Sequence, residues 1–114
     1  MPETTIDLKA FENLKAMAGS DFIGELIDTF LADAPHMIQQ LHDSLSTRDV
    51  DTFRRAAHSL KSNAASFGAS ALTAQSRELE QLARENKLSE ISNQLQVLEE
   101  AYGDAARELK GMRT

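Results

Sequence analysis

Three histidines, His36, His42 and His58, are the side chains best suited to chemistry near neutral pH in this sequence of 114 residues, which has no cysteine. An imidazole can hold a metal, move a proton or attack an electrophile. The absence of cysteine removes a disulfide scaffold, a thiolate zinc site, a thiol nucleophile and an iron–sulfur cluster. His36 and His42 are six residues apart, about 240° around a helix, so they point in different directions. No HExxH pattern or carboxylate cluster joins either of them to make a metal site. Both read as solvated surface residues, as do the Asp and Glu side chains scattered along polar faces.

His58 has different surroundings. On a helical wheel Phe53, Ala57, Leu60, Ala64 and Phe67 share one narrow sector, the core face, and His58 lies about 140° from its centre. It therefore looks outward. Its neighbours along the same stripe are Arg54, Arg55, Lys61 and Ser62, with Ala65 one turn further on. Three cations around one exposed histidine form a local anion site in an acidic chain. The small Ser62 and Ala65 leave the ring open to a macromolecule. A neutral imidazole is a competent nitrogen nucleophile for a phosphoryl group, and the P–N bond it forms is labile enough to pass the group on. Lys61 is placed to meet the phosphoryl oxygens as a mobile charge. The alternative is an exposed histidine with chance basic neighbours.

The elements that must position these residues read as helices from end to end. A short first helix, about Asp7 to Ala18, carries Leu8, Phe11, Leu14 and Met17 and stops at Gly19, as a lid would. Ser20 is the expected cap of a second helix whose stripe runs from Phe22 to Ala34. Pro35 predicts a kink or break there, before Met37, Ile38, Leu41 and Leu45 carry the stripe on. Thr47 or Asp49 can cap a third helix, Val50 to Phe67, closed by Gly68. Ser70 is the expected cap of a fourth, Ala71 to Glu85, with Asn86 as its stop. From Leu88 a fifth shows the heptad Ile91, Leu95, Leu98, Tyr102, Ala105, Leu109. No strand-like alternation appears. The expected fold is all-α: an antiparallel up-and-down four-helix bundle with a short extra N-terminal helix across one end, residues 1–114 forming one domain.

Composition narrows the function. Eighteen acidic against twelve basic residues give a formal charge of −6, with no basic tract of the kind that neutralises nucleic-acid phosphates. No apolar run approaches the roughly 18 residues of a membrane helix, and Met1-Pro2-Glu3-Thr4-Thr5 lacks the basic and apolar regions of a signal peptide, so a cytoplasmic protein without nucleic-acid or membrane partners is expected. No Walker or kinase-type glycine loop offers an ATP site.

The stretch Ala56-Ala57-His58-Ser59-Leu60-Lys61-Ser62-Asn63-Ala64-Ala65-Ser66-Phe67-Gly68-Ala69 resembles the phosphorylation segment of histidine-containing phosphotransfer (HPt) domains of bacterial phosphorelays. Their pattern is a His, a Lys three later, small residues, and a Gly ten after the His; His58, Lys61 and Gly68 match it. Ile6-Asp7-Leu8, Gly19-Ser20-Asp21-Phe22, Thr29-Phe30-Leu31, Ala34-Pro35 and Leu79-Glu80 extend the likeness along most of the chain. Ser62 stands where many members have Gly, small enough to leave the ring accessible. In the family a Gln of the next helix often bonds the second ring nitrogen, and Glu80 matches it by spacing. Glu80 follows Gly68 by twelve residues and His58 precedes it by ten, so a hairpin sets the two at nearly the same height. Accepting from Nδ1–H, Glu80 would present Nε2 as the nucleophile. A surface Glu80 paired with Arg77 or Arg84 is the open alternative.

The resemblance implies a phosphocarrier rather than an enzyme. His58 would accept a phosphoryl group from a receiver-domain aspartyl phosphate, of a hybrid histidine kinase or a response regulator, and pass it to another receiver Asp. Lys61 would stabilise the group, and Arg54, Arg55, Ser62, Ala65 and Gly68 would serve docking or access. The chain would bring no cofactor, since the receiver supplies Mg²⁺, and would act as a monomer. Two other classes remain: a non-catalytic helical adaptor or dimerisation module that uses the last heptad as an intermolecular seam, and a metal bundle of the ferritin type, which the missing ExxH pairs disfavour.

Overall fold

Among the described residues five α-helices fall close to the hydrophobic stripes, and their ends show which local signals were used. The structure is a computed structural model that describes residues 5–91 and 93–113; the signal-peptide reading of residues 1–4 lies outside them. Helix α1 (Leu8–Ala18) is capped by the Asp7 carboxylate, which accepts from the backbone N–H groups of Lys9 and Ala10. Its stripe is only partly used: Phe11 is buried, while Leu8 and Met17 are exposed. Helix α2 (Ile23–Thr47) is followed by α3 (Val50–Ser66), capped by Asp49 at the Thr52 N–H. Helix α4 (Ser70–Arg84) ends at Asn86, which takes a left-handed φ of 59° while the Lys87 N–H returns to the Leu82 carbonyl. Helix α5 (Gln94–Gly111) completes the set.

Four expectations are corrected. Ser20 does not cap α2, whose first turn is held by the Gly19 carbonyl accepting from Phe22 and Ile23. Ser70 is the first residue of α4 rather than its cap, and its hydroxyl donates to the Gly68 carbonyl instead. Leu88 does not open the last helix: Leu88–Glu90 form a single 3-10 turn and Ile91 is extended. Both apolar side chains are buried there, so the heptad pattern reported burial rather than continuous helix. Finally, Pro35 does not break α2. Proline removes the donor to the carbonyl four residues back, Leu31, and the Tyr102 hydroxyl of α5 donates to that oxygen at 3.5 Å. Burial pushes the Tyr102 hydroxyl up in pKa, so it stays a donor. Phe30, Ala34, Ile38 and Leu41, buried on both sides of the proline, anchor both halves of the helix in the core.

The long helices close into an antiparallel ring in which α3 touches α2 and α4, and α5 touches α4 and α2. Ile27, Leu41, Phe53, Leu60, Leu72, Leu79, Leu98 and Leu109 are fully buried at its centre. The α5 stripe of Leu95, Leu98, Ala105 and Leu109 belongs to this core, so it is not available as a seam for another molecule. Helix α1 covers α2 and α3 near the turn between α3 and α4, where the Asp7 N–H donates to the Gly68 carbonyl at 2.6 Å. The buried residues of α3 are Phe53, Leu60 and three alanines, Ala56, Ala57 and Ala64. Such small side chains let α3 and α4, the most extensively packed pair, approach closely enough for polar side chains to reach across.

Candidate functional site

Close approach of α3 and α4 sets two side chains of one helix on one carboxylate of the other. The Nδ1 of His58 lies 2.8 Å from Oε2 of Glu80, and the Nζ of Lys61 donates to Oε1 at 2.5 Å. Arg84, one turn along α4, donates to Oε2 at 3.0 Å. The Glu80 side chain is only 4% exposed, whereas that of His58 is 55% exposed. The carboxylate is therefore a buried anchor and the imidazole is the open end of the cluster.

Burial by itself would raise the pKa of Glu80. The hydrogen bonds from Lys61 and His58, together with their charges, outweigh it and hold the carboxyl below the ordinary glutamate value. At neutral pH Glu80 is thus an ionised acceptor. It offers no proton, so the short contact to Nδ1 is made by the ring donating its N–H. That tautomer leaves the Nε2 lone pair free, and among the described residues Nε2 has no partner. The result is an exposed nitrogen nucleophile whose direction is fixed from behind.

The other singled-out residues divide into two groups. Ser62 and Ala65 are exposed along the stripe that His58 occupies, so no bulky side chain of that stripe stands before the ring. Arg54 is half-buried, and Arg55 is exposed with its Nε donating to the Asp51 carbonyl. Neither arginine bonds to His58 or Glu80. Gly68, expected to serve docking or access, is buried instead. Its φ is +74°, and a Cβ there would sit 2.6 Å from the Asp7 carbonyl oxygen and 3.0 Å from the Ala10 Cβ. The approach of α1 accounts for this glycine without any partner.

Glu80 is not the surface residue of the alternative reading, although the pairing with Arg84 that reading contained is present; Arg77 makes no bond to it. The sequence reading linked Glu80 to His58 and Lys61 to the phosphoryl group, and so missed that Lys61 and Glu80 bond to each other. The signal was there: Lys61 is one turn from His58 on the side facing α4. His42 meets Glu99 on α5 at 2.6 Å, His36 is exposed, and among the described residues no three His, Asp or Glu side chains gather as a metal site requires.

Comparison with known proteins agrees with this geometry. The family model described as "Hpt domain" matches residues 25–108, from the start of α2 almost to the end of α5. The phosphorelay protein LuxU of Vibrio harveyi is 31% identical over 90 residues, covering 79% of each chain. The crystal structure of histidine-containing phosphotransfer protein B (HptB) from Pseudomonas aeruginosa PAO1 superposes with a TM-score of 0.90 at 27% identity, covering 96% of this chain and 94% of that one. A family match that includes all four bundle helices, together with these relatives, settles the assignment: this chain belongs to the Hpt domain family and acts as a histidine phosphotransfer intermediate of phosphorelays.

Proposed function

We propose that His58 is the phosphorylated residue, and that Nε2 takes the group from a receiver-domain aspartyl phosphate and returns it to the Asp of another receiver. The observation that carries this reading is the 2.8 Å contact of Nδ1 with a buried, ionised Glu80, behind an Nε2 that is open to solvent. Attack forms the Nε2–P bond as the P–O bond to the donor aspartate breaks, and the electron pair leaves on its carboxylate. Three equatorial oxygens carry the charge in flight. Lys61, only 25% exposed, resting on Glu80 and one turn from His58, is a cation with the reach to meet them as the group arrives. Mg²⁺ and the other catalytic groups belong to the receiver, so the chain is a carrier with no ATP site or kinase activity of its own. Ser62 and Ala65 give the receiver close access, Arg54 and Arg55 add positive charge beside the ring, and one copy of the chain suffices. The donor and acceptor are receiver domains of a hybrid histidine kinase or of response regulators, met in the cytoplasm.

The test is transfer from a panel of phosphorylated receivers to the wild type, His58→Gln and Lys61→Ala. Rapid labelling of the wild type that is absent from the first variant and slowed in the second is the expected result. Equal labelling of wild type and His58→Gln would overturn the assignment.

A further inference from the structure

The residue behind His58 is a carboxylate, and a carboxylate responds to phosphorylation differently from an amide. Ionised Glu80 can only accept hydrogen bonds, whereas a glutamine can turn and either accept or donate. Before transfer this makes no difference, since the neutral ring donates from Nδ1 and attacks from Nε2. Attack on phosphorus moves no proton, so the immediate product is an N-phosphoimidazolium that still carries Nδ1–H. If that proton were lost, a ring lone pair would face a carboxylate oxygen at 2.8 Å with nothing between them. An amide would relieve this by turning its N–H toward the ring.

The surrounding charges leave Glu80 as the group that acts on this proton. On its own helix the ring has Arg54, Arg55 and Lys61 within about one turn. From α4 come Glu80 and Arg84, with Arg77 one turn before Glu80. Helices α1 and α2 send no hydrogen bond or ion pair to His58 among the described residues. Every charged group in these positions except Glu80 is a cation and would favour loss of the proton.

We propose that Glu80 retains the Nδ1 proton on phosphorylated His58 and so keeps the carrier in its transferable phosphoimidazolium form. The inference rests on the reading that His58 carries the group. In onward transfer a receiver carboxylate oxygen bonds to phosphorus, the P–Nε2 bond breaks, and the electron pair returns to Nε2. The leaving group is then neutral imidazole, ready for another cycle. From a ring that had lost Nδ1–H it would be imidazolate, a far poorer leaving group. With Glu80 in place neither direction of transfer needs a proton to enter or leave.

Phosphoramidate tests this without a receiver: Nε2 attacks its phosphorus, its P–N bond breaks and ammonia departs. Wild type, Glu80→Gln and Arg84→Gln are labelled this way, with His58→Gln as the spectral blank for the other histidines. Phosphorus NMR and the decay of the label are followed from mildly acidic to alkaline pH. The wild-type resonance is expected to titrate about one unit or more higher in pH than that of Glu80→Gln, whose label persists about tenfold longer at alkaline pH. Arg84→Gln, which removes an exposed cation from the same carboxylate, is expected to move the midpoint the other way; it keeps the test open should Glu80→Gln misfold. Coincident midpoints in wild type and Glu80→Gln, or a downward shift in Arg84→Gln, would overturn the proposal. A failed carrier role is seen separately, as absence of transfer from receivers to a wild type that phosphoramidate does label.

Discussion

Two histidines of this bundle meet a glutamate across a pair of antiparallel helices, His58 with Glu80 between α3 and α4, and His42 with Glu99 between α2 and α5. The distances, 2.8 and 2.6 Å, do not distinguish them, and the two rings are similarly open at 55% and 46% exposure. The carboxylates differ. Glu80 is 4% exposed and also takes Lys61 and Arg84, while Glu99, paired with His42, is 45% exposed. A histidine–carboxylate contact therefore says little until the anchor is considered. A buried anchor with a second cation fixes one ring nitrogen and poises a charge beside the other, whereas an exposed pair exchanges freely with water.

The sharpest way to break the comparison is to remove the rings. His58→Gln is expected to abolish label from any receiver while His42→Gln transfers at the wild-type rate; loss in the second variant would mean the α2–α5 pair belongs to the site. Next in size, Lys61→Ala should slow transfer by about 10- to 100-fold, the equivalent of one charge-assisted hydrogen bond in the transition state, in a bundle that still folds. Rapid-quench kinetics with a single receiver would show it.

The anchors themselves separate in stability. Glu80→Ala is expected to cost about 1–3 kcal/mol in chemical denaturation, because a buried acceptor of three hydrogen bonds is lost, although its exposed donors can turn to water. Glu99→Ala should stay within about 0.5 kcal/mol. Acid gives the same contrast: the folded-state pKa of Glu80 is depressed, so its contribution is present above the unfolded glutamate value and is lost as pH falls through the folded one. Denaturation midpoints taken into that acidic range should fall less steeply for Glu80→Gln than for wild type. An effect of opposite sign lies one turn away on α4. Ser76 is fully buried and its hydroxyl has no partner among the described residues, in contrast to Glu80, which takes three donors. Ser76→Ala should stabilise the bundle by about 1 kcal/mol without touching transfer.

How much of this was legible follows from the range of the signals. The core stripe of α3 put His58 outside, and the similar spacings of ten and twelve residues on either side of Gly68 put Glu80 beside it, because both depend only on helical repeat and a short turn. The Asp49 cap and the Asn86 stop are equally local and were readable. That Pro35 would not break α2 was not readable, because its compensation, the Tyr102 hydroxyl, comes from another helix far along the chain. Burial of Glu80 was not readable either, since it depends on how closely alanine-lined α3 lets α4 approach, which spacing does not give.

The close approach of the Asp7 carbonyl to Gly68 bears on how a mutational scan of this protein would be read. Any larger residue at position 68, alanine included, drives a methyl into the same peptide oxygen and adopts an unfavourable backbone conformation as well. Intolerance at 68 would therefore appear as a hot position beside the reactive histidine while reporting only whether the N-terminal helix can seat. A scan scored on abundance as well as signalling output would separate such a scaffold position from the chemical one, His58, whose largely exposed ring can be lost with abundance intact.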